Sequence, residues 1–94
     1  MISIITCNFN LGHLLNETIE SVLSQNIKEI ECIIIDANSK DNSIEIIKKL
    51  QRKDDRVKYI SEYDEGHFYG INKGLKLSKG NIIGILHCSD LYEQ

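Results

Sequence analysis

The 94-residue sequence predicts an α/β fold, a mainly parallel sheet carrying helices on both faces. Three observations lead there. Short β-branched runs alternate with segments whose apolar residues recur at helical spacing. One run, Ile33-Ile34-Ile35, is apolar without interruption, as in a strand buried on both faces. Polar residues gather just after each run, on the edge where parallel sheets bind their ligands.

The elements follow in order. Ile2 to Cys7 reads as a strand bounded by Asn8 and Asn10. From Leu11 to Gln25 the residues Leu15, Ile19, Val22 and Leu23 keep helical spacing, with Asn10 as the expected N-cap. Ile30 to Asp36 is the second strand. Ser39 or Asp41 is expected to cap a second helix faced by Ile44, Ile47 and Leu50. Lys53 to Arg56 forms a charged turn, and Val57 to Ile60 a third strand. Phe68, Ile71 and Leu75 mark a third helix that Gly80 is expected to end, before a fourth strand over Asn81 to Leu86. No linker, repeat or low-complexity segment interrupts this alternation, so a single domain over residues 1–94 is expected.

Composition narrows the function classes. Apolar residues make up 41% and charged residues 27%, the balance of an ordinary globular protein. A formal charge of −3 and the lack of a concentrated Lys/Arg block speak against nucleic-acid binding. The pairs Lys48-Lys49 and Arg52-Lys53 read as solvated helix surface. No apolar run approaches the ~20 residues that span a bilayer, and the N-terminus does not have the pattern of a signal peptide. A cytoplasmic location is expected, with a partner able to bring the protein to the inner membrane surface. Cys7, Cys32 and Cys88 lack the spacing of a disulfide framework or a zinc site, so Cys32 and Cys88 read as small buried hydrophobes.

The strand ends hold the acids Asp36, Asp64 and Asp90. Asp also favours turns and caps, so each alone says little; their convergence on one edge points to a site. A glycine-rich dinucleotide turn, a P-loop and a nucleophile elbow are all absent from the sequence. An acid pair after the first strand, needed by a receiver-like domain, is absent too, because Asn8 and Asn10 stand there.

In succession, these segments resemble the family 2 glycosyltransferases. Ile2 to Asn10, ending in Phe9-Asn10, is similar to the opening strand of that family, and Glu17 to Gln25 to its first helix. Ile33 to Ser43 (I-I-I-D-A-N-S-K-D-N-S) resembles the segment usually written I-I-D-G-S-T-D-G-T. Ser61-Glu62, Asp64, Gly66, Asn72-Lys73-Gly74 and Gly80 resemble the next block. His87-Cys88-Ser89-Asp90 stands at the acidic motif.

The resemblance implies a Rossmann-like three-layer sandwich with strand order 3-2-1-4, a truncated GT-A fold. It implies the donor half of an inverting glycosyltransferase, which binds a nucleoside diphosphate sugar. Phe9 would lie against the nucleobase, although alone it also fits a core residue closing the strand. Asp36 would accept hydrogen bonds from the base or hold the loop framing it, and Asp64 would lie near the donor. Asp90 would ligate a divalent cation, Mn²⁺ or Mg²⁺, held weakly because Ser89 replaces a neighbouring acid and His87 another polar ligand. Ala37 likewise stands where many relatives carry a second acid. The base and the site for a sugar or glycan acceptor lie downstream in the family, so no residue here is assigned to catalysis. A half domain exposes apolar surface, from which a homo-oligomer is expected. The alternatives are an inactive remnant or a binding domain of the same fold.

Overall fold

A computed structural model of the chain describes residues 1–25, 29–62 and 73–86. Four strands, β1 (Ile2–Asn8), β2 (Ile30–Asp36), β3 (Val57–Ser61) and β4 (Ile82–Ile85), form one sheet in the order β3-β2-β1-β4. All three pairings are parallel. This is the expected topology.

Strand β2 is buried along its whole length because it has a strand on each side and helices above and below. One face packs against α1 (Gly12–Leu23) and α2 (Ser43–Lys53). There Leu15, Ile19, Ile47 and Leu50 meet Ile30, Cys32, Ile34 and Val57. Each such side chain contributes roughly 1.5–3 kcal/mol by leaving water, which makes this layer the main core. Burial raises the Cys32 thiol to about 11, so it remains protonated packing material, as expected.

The other face has a smaller core of Ile5, Ile33 and Ile35, crossed by the helical residues 73–77. A Cβ on Gly74 would come within 2.5 Å of Ile5 Cγ2, so the bare backbone at that position lets the helix press onto β1. Leu75 is helical, as expected, and its side chain is exposed. Phe68 and Ile71 lie outside the described residues. Gly80 also departs from expectation. None of the described glycines has positive φ, so Gly80 is not a left-handed helix stop. It passes close to the start of β1, where a Cβ would meet Ser3 Oγ at 2.6 Å and Met1 O at 2.7 Å.

Register now matters for the site. Asn8 pairs with Asp36, and Asp36 with Ser61, so three polar residues end the three strands in one row.

Candidate functional site

Asp36 is the centre of that row and is fully buried. Its Oδ1 accepts hydrogen bonds from Asn8 Nδ2 at 2.7 Å and Ser39 Oγ at 2.6 Å. Its Oδ2 accepts from Ser39 N at 2.9 Å and Ser61 Oγ at 2.8 Å. A carboxylate has about four lone-pair positions, and here the chain's own donors fill them. The backbone closes the same row: Ala37 N donates to Asn8 O and Glu62 N to Asp36 O. Asp36 therefore ties the ends of β1, β2 and β3 to the turn after β2.

Phe9 follows directly on this row and is 57% exposed. It does not close the core. Its ring stands on a short loop whose two flanks are fixed, Asn8 by Asp36 and Asn10 by residues 39–41. Asn10 has φ 53, a left-handed conformation that asparagine tolerates better than most residues. Its Oδ1 accepts hydrogen bonds from Lys40 N at 2.7 Å and Asp41 N at 3.3 Å, while its own N donates to Ser39 Oγ at 2.9 Å. Asn10 thus does not cap α1 as expected; its side chain serves the neighbouring loop, and the N-cap is Leu11, without a side-chain bond.

The cap comes from across the site. Asp41 Oδ2 accepts a hydrogen bond from Gly12 N at 3.0 Å, at the start of α1. Its Oδ1 accepts from Ser43 N at 3.0 Å and from the Ser43 hydroxyl, at the start of α2. One carboxylate serves two helix N-termini, where negative charge is favoured. The Ser43 hydroxyl, outweighing some desolvation, holds the Asp41 carboxyl below its ordinary value. Ser39, the other expected cap, belongs to the Asp36 network instead.

Asp64, Asp90 and the segment His87-Cys88-Ser89 lie outside the described residues. The metal expectation rests on them. Among the described residues no group of three acid, histidine or cysteine side chains is placed to hold an ion. Just before the segment that contains Asp64, Glu62 forms an ion pair with Lys73 at 2.8 Å. Asn72 lies outside the described residues; Lys73 and Gly74 fall in the third helix and both hold it against its surroundings.

What the sequence did not reveal is that Ser39 and Ser61 are partners of Asp36. Their signal, serines just after strands, is too common to single out.

Comparison with known proteins follows the same line. Residues 3–93 match the family described as Glycosyl transferase family 2. A β-1,3-glucosyltransferase of Campylobacter jejuni, acting on GalNAc(5)-diNAcBac-PP-undecaprenol, is 34% identical over 91 residues, 95% of this chain and 29% of that protein. An Escherichia coli UDP-Glc:α-D-GlcNAc-diphosphoundecaprenol β-1,3-glucosyltransferase is 38% identical over 93 residues, 98% of this chain and 36% of that one. Among solved structures, a mannosyltransferase of Pyrobaculum calidifontis in complex with GDP-Man and Mn²⁺ superposes with a TM-score of 0.86 at 17% identity. It covers 93% of this chain and 27% of its own. That likeness shows the fold, the GT-A fold. The chain spans about three-tenths of the length of these relatives.

Proposed function

Because the chain belongs to Glycosyl transferase family 2, we propose that it binds a nucleoside diphosphate sugar at the carboxyl edge of its sheet. The observation that supports this most is the exposed Phe9 ring on a loop clamped at both flanks. A fixed, open ring face suits a nucleobase, and stacking of a base on it contributes ~1–3 kcal/mol. Asp36 serves the site from beneath, holding the strand ends and the residue 37–41 loop that borders the ring.

Asp64 is assigned to the neighbourhood of the donor, and Asp90 to a divalent cation at the diphosphate. When bound, Mn²⁺ or Mg²⁺ offsets the charge that builds on the leaving diphosphate. With one carboxylate as the assigned ligand, affinity for the ion is weak and depends on the phosphates to complete its shell.

For the whole protein we place this segment in an inverting transferase. The base and the acceptor site then fall in the part of the relatives beyond the matched region. Two relatives act on sugars linked through diphosphate to undecaprenol. An acceptor of that class would bring the protein to a membrane surface, although no described helix is long and apolar enough to cross one.

Titration calorimetry of these 94 residues with UDP and GDP, with and without Mn²⁺, tests the reading. Metal-assisted binding of one of them, with no sugar transfer, is the expected result. Absence of binding at millimolar nucleotide would reduce the chain to a remnant of the fold. We also propose that the 94 residues self-associate through β4. Ile82, Ile83 and Ile85 are exposed on this edge strand, which carries neither a proline nor a charged residue to discourage pairing. Sedimentation velocity would show a dimer; a monomer at high concentration removes this part of the proposal.

A further inference from the structure

The residues on either side of Phe9 are tied down by hydrogen bonds to other parts of the chain. The clamp on its far side is Asn10, whose hydrogen bonds go to residues 39–41 in the turn after β2. Its left-handed backbone turns Oδ1 toward the amides of Lys40 and Asp41, and its own amide reaches Ser39 Oγ. Two residues later, Gly12 brings the start of α1 onto the start of α2. A Cβ there would lie 2.6 Å from Asn42 Oδ1 and 3.1 Å from Ser43 N. The loop bearing Phe9 and the loop over residues 37–41 are therefore one clasped unit, and the link nearest the ring is the Asn10 amide.

We infer that Asn10 is a positioning residue: it sets the Phe9 ring relative to the residue 37–41 loop, and so tunes affinity for the nucleobase without touching it. The inference rests on the nucleotide reading above. Two properties of asparagine are needed at once, an acceptor that takes two amides and tolerance of positive φ. Alanine has neither, glycine has only the second, and aspartate has both. Because the amides of Lys40 and Asp41 are exposed, water replaces Asn10 Oδ1 when it is removed, and the fold survives.

The test is a cycle of UDP affinities for the unsubstituted chain, Phe9→Ala, Asn10→Ala and the double variant, with Asn10→Gly and Asn10→Asp as companions. Amide exchange on each variant confirms that the sheet is intact, and the Gly variant replaces Ala should Ala fail to fold. Asn10→Ala is expected to weaken UDP about tenfold. In the Phe9→Ala background it is expected to weaken UDP no further, because its effect passes through the ring. Asn10→Asp recovers most of the affinity, and inorganic pyrophosphate binds all variants alike. Two results overturn the inference while leaving the nucleotide reading in place: an unchanged UDP affinity in Asn10→Ala, or a full additional loss in the double variant. If Phe9→Ala binds UDP as well as the parent, or nothing binds UDP, the reading of Phe9 fails first and takes the inference with it.

Discussion

Strand β2 carries a buried carboxylate near each end, and the two are held differently. At the carboxyl end, Asp36 is satisfied by an amide side chain, two serine hydroxyls and a backbone N–H. Among the described residues no lysine or arginine pairs with it. Toward the amino end, Glu31 is 3% exposed and bonds Lys58 Nζ at 2.7 Å, Lys79 N at 2.7 Å and the Ser3 hydroxyl. Ser3 Oγ in turn accepts from Gly80 N at 2.8 Å. Burial alone would push the Glu31 carboxyl up. The bonds from Lys58, Ser3 and Lys79 outweigh it and bring the group down to about 2.

The partners explain the difference. Those of Glu31 come from β1, β3 and the turn before β4, at the end of the sheet away from Phe9; the cluster joins the strands and carries no candidate ligand. Those of Asp36 come from the strand ends and the turn that border Phe9. Neutral donors with fixed directions set geometry there without adding a cation. Similar burial joins strands through an ion pair at one end and fixes the strand ends and the turn beside Phe9 through neutral donors at the other.

The largest effect expected is that of Asp36→Ala. It leaves Asn8 and the Ser39 and Ser61 hydroxyls facing a hole, and should cost about 4 kcal/mol in urea unfolding together with all measurable UDP binding. A loss below about 1 kcal/mol would mean that water replaces the carboxylate easily, and the contrast would collapse.

Acid comes next. The folded value of Glu31 lies below its ordinary 4.5, so its contribution is complete above pH 4.5 and disappears as pH falls toward 2. Up to about 3 kcal/mol should go in that window, since each unit of displacement is worth ~1.4 kcal/mol. Glu31→Gln should abolish this part of the acid sensitivity. If the variant keeps the parent's acid profile, the lowered value belongs to some other group.

At neutral pH, Glu31→Gln should cost about 2 kcal/mol, because the amide keeps the size of the side chain but loses the ion pair with Lys58. UDP affinity should stay within twofold, about the error of such a comparison. A marked loss of affinity would show that the two ends of β2 are coupled. The smallest effect belongs to Glu62→Gln. Glu62 is half exposed in its pair with Lys73, and surface pairs contribute roughly 0–1 kcal/mol. Thermal unfolding should shift by no more than a few degrees.

Much of the architecture was legible in the residues. Ile33-Ile34-Ile35 announces a strand with helices on both sides, and the helical spacing of Leu15, Ile19 and Val22 announces α1, because periodicity is a local property of the chain. The order 3-2-1-4 came through the family resemblance rather than from periodicity. Phe9 and Asp36 were placed in the site region by their positions after strands. Whether Phe9 was core or surface stayed open until its exposure was seen.

What the sequence determined by itself is therefore the set of elements and the edge on which polar residues collect. Both follow from interactions between residues a few positions apart. Only the tertiary structure decided which polar groups meet. Asn10 looked like the cap of the helix beside it, yet its left-handed backbone sends the side chain to residues 40 and 41, and Asp41 caps α1 from 29 positions away. Glu31 within an apolar strand had no visible partner until Lys58, 27 residues on, was brought alongside. A hydrogen bond needs its donor within about 3 Å, and chain spacing alone does not predict that for residues so far apart. The parallel register of β1, β2 and β3 supplies the alignment, setting Asn8, Asp36 and Ser61 in one row.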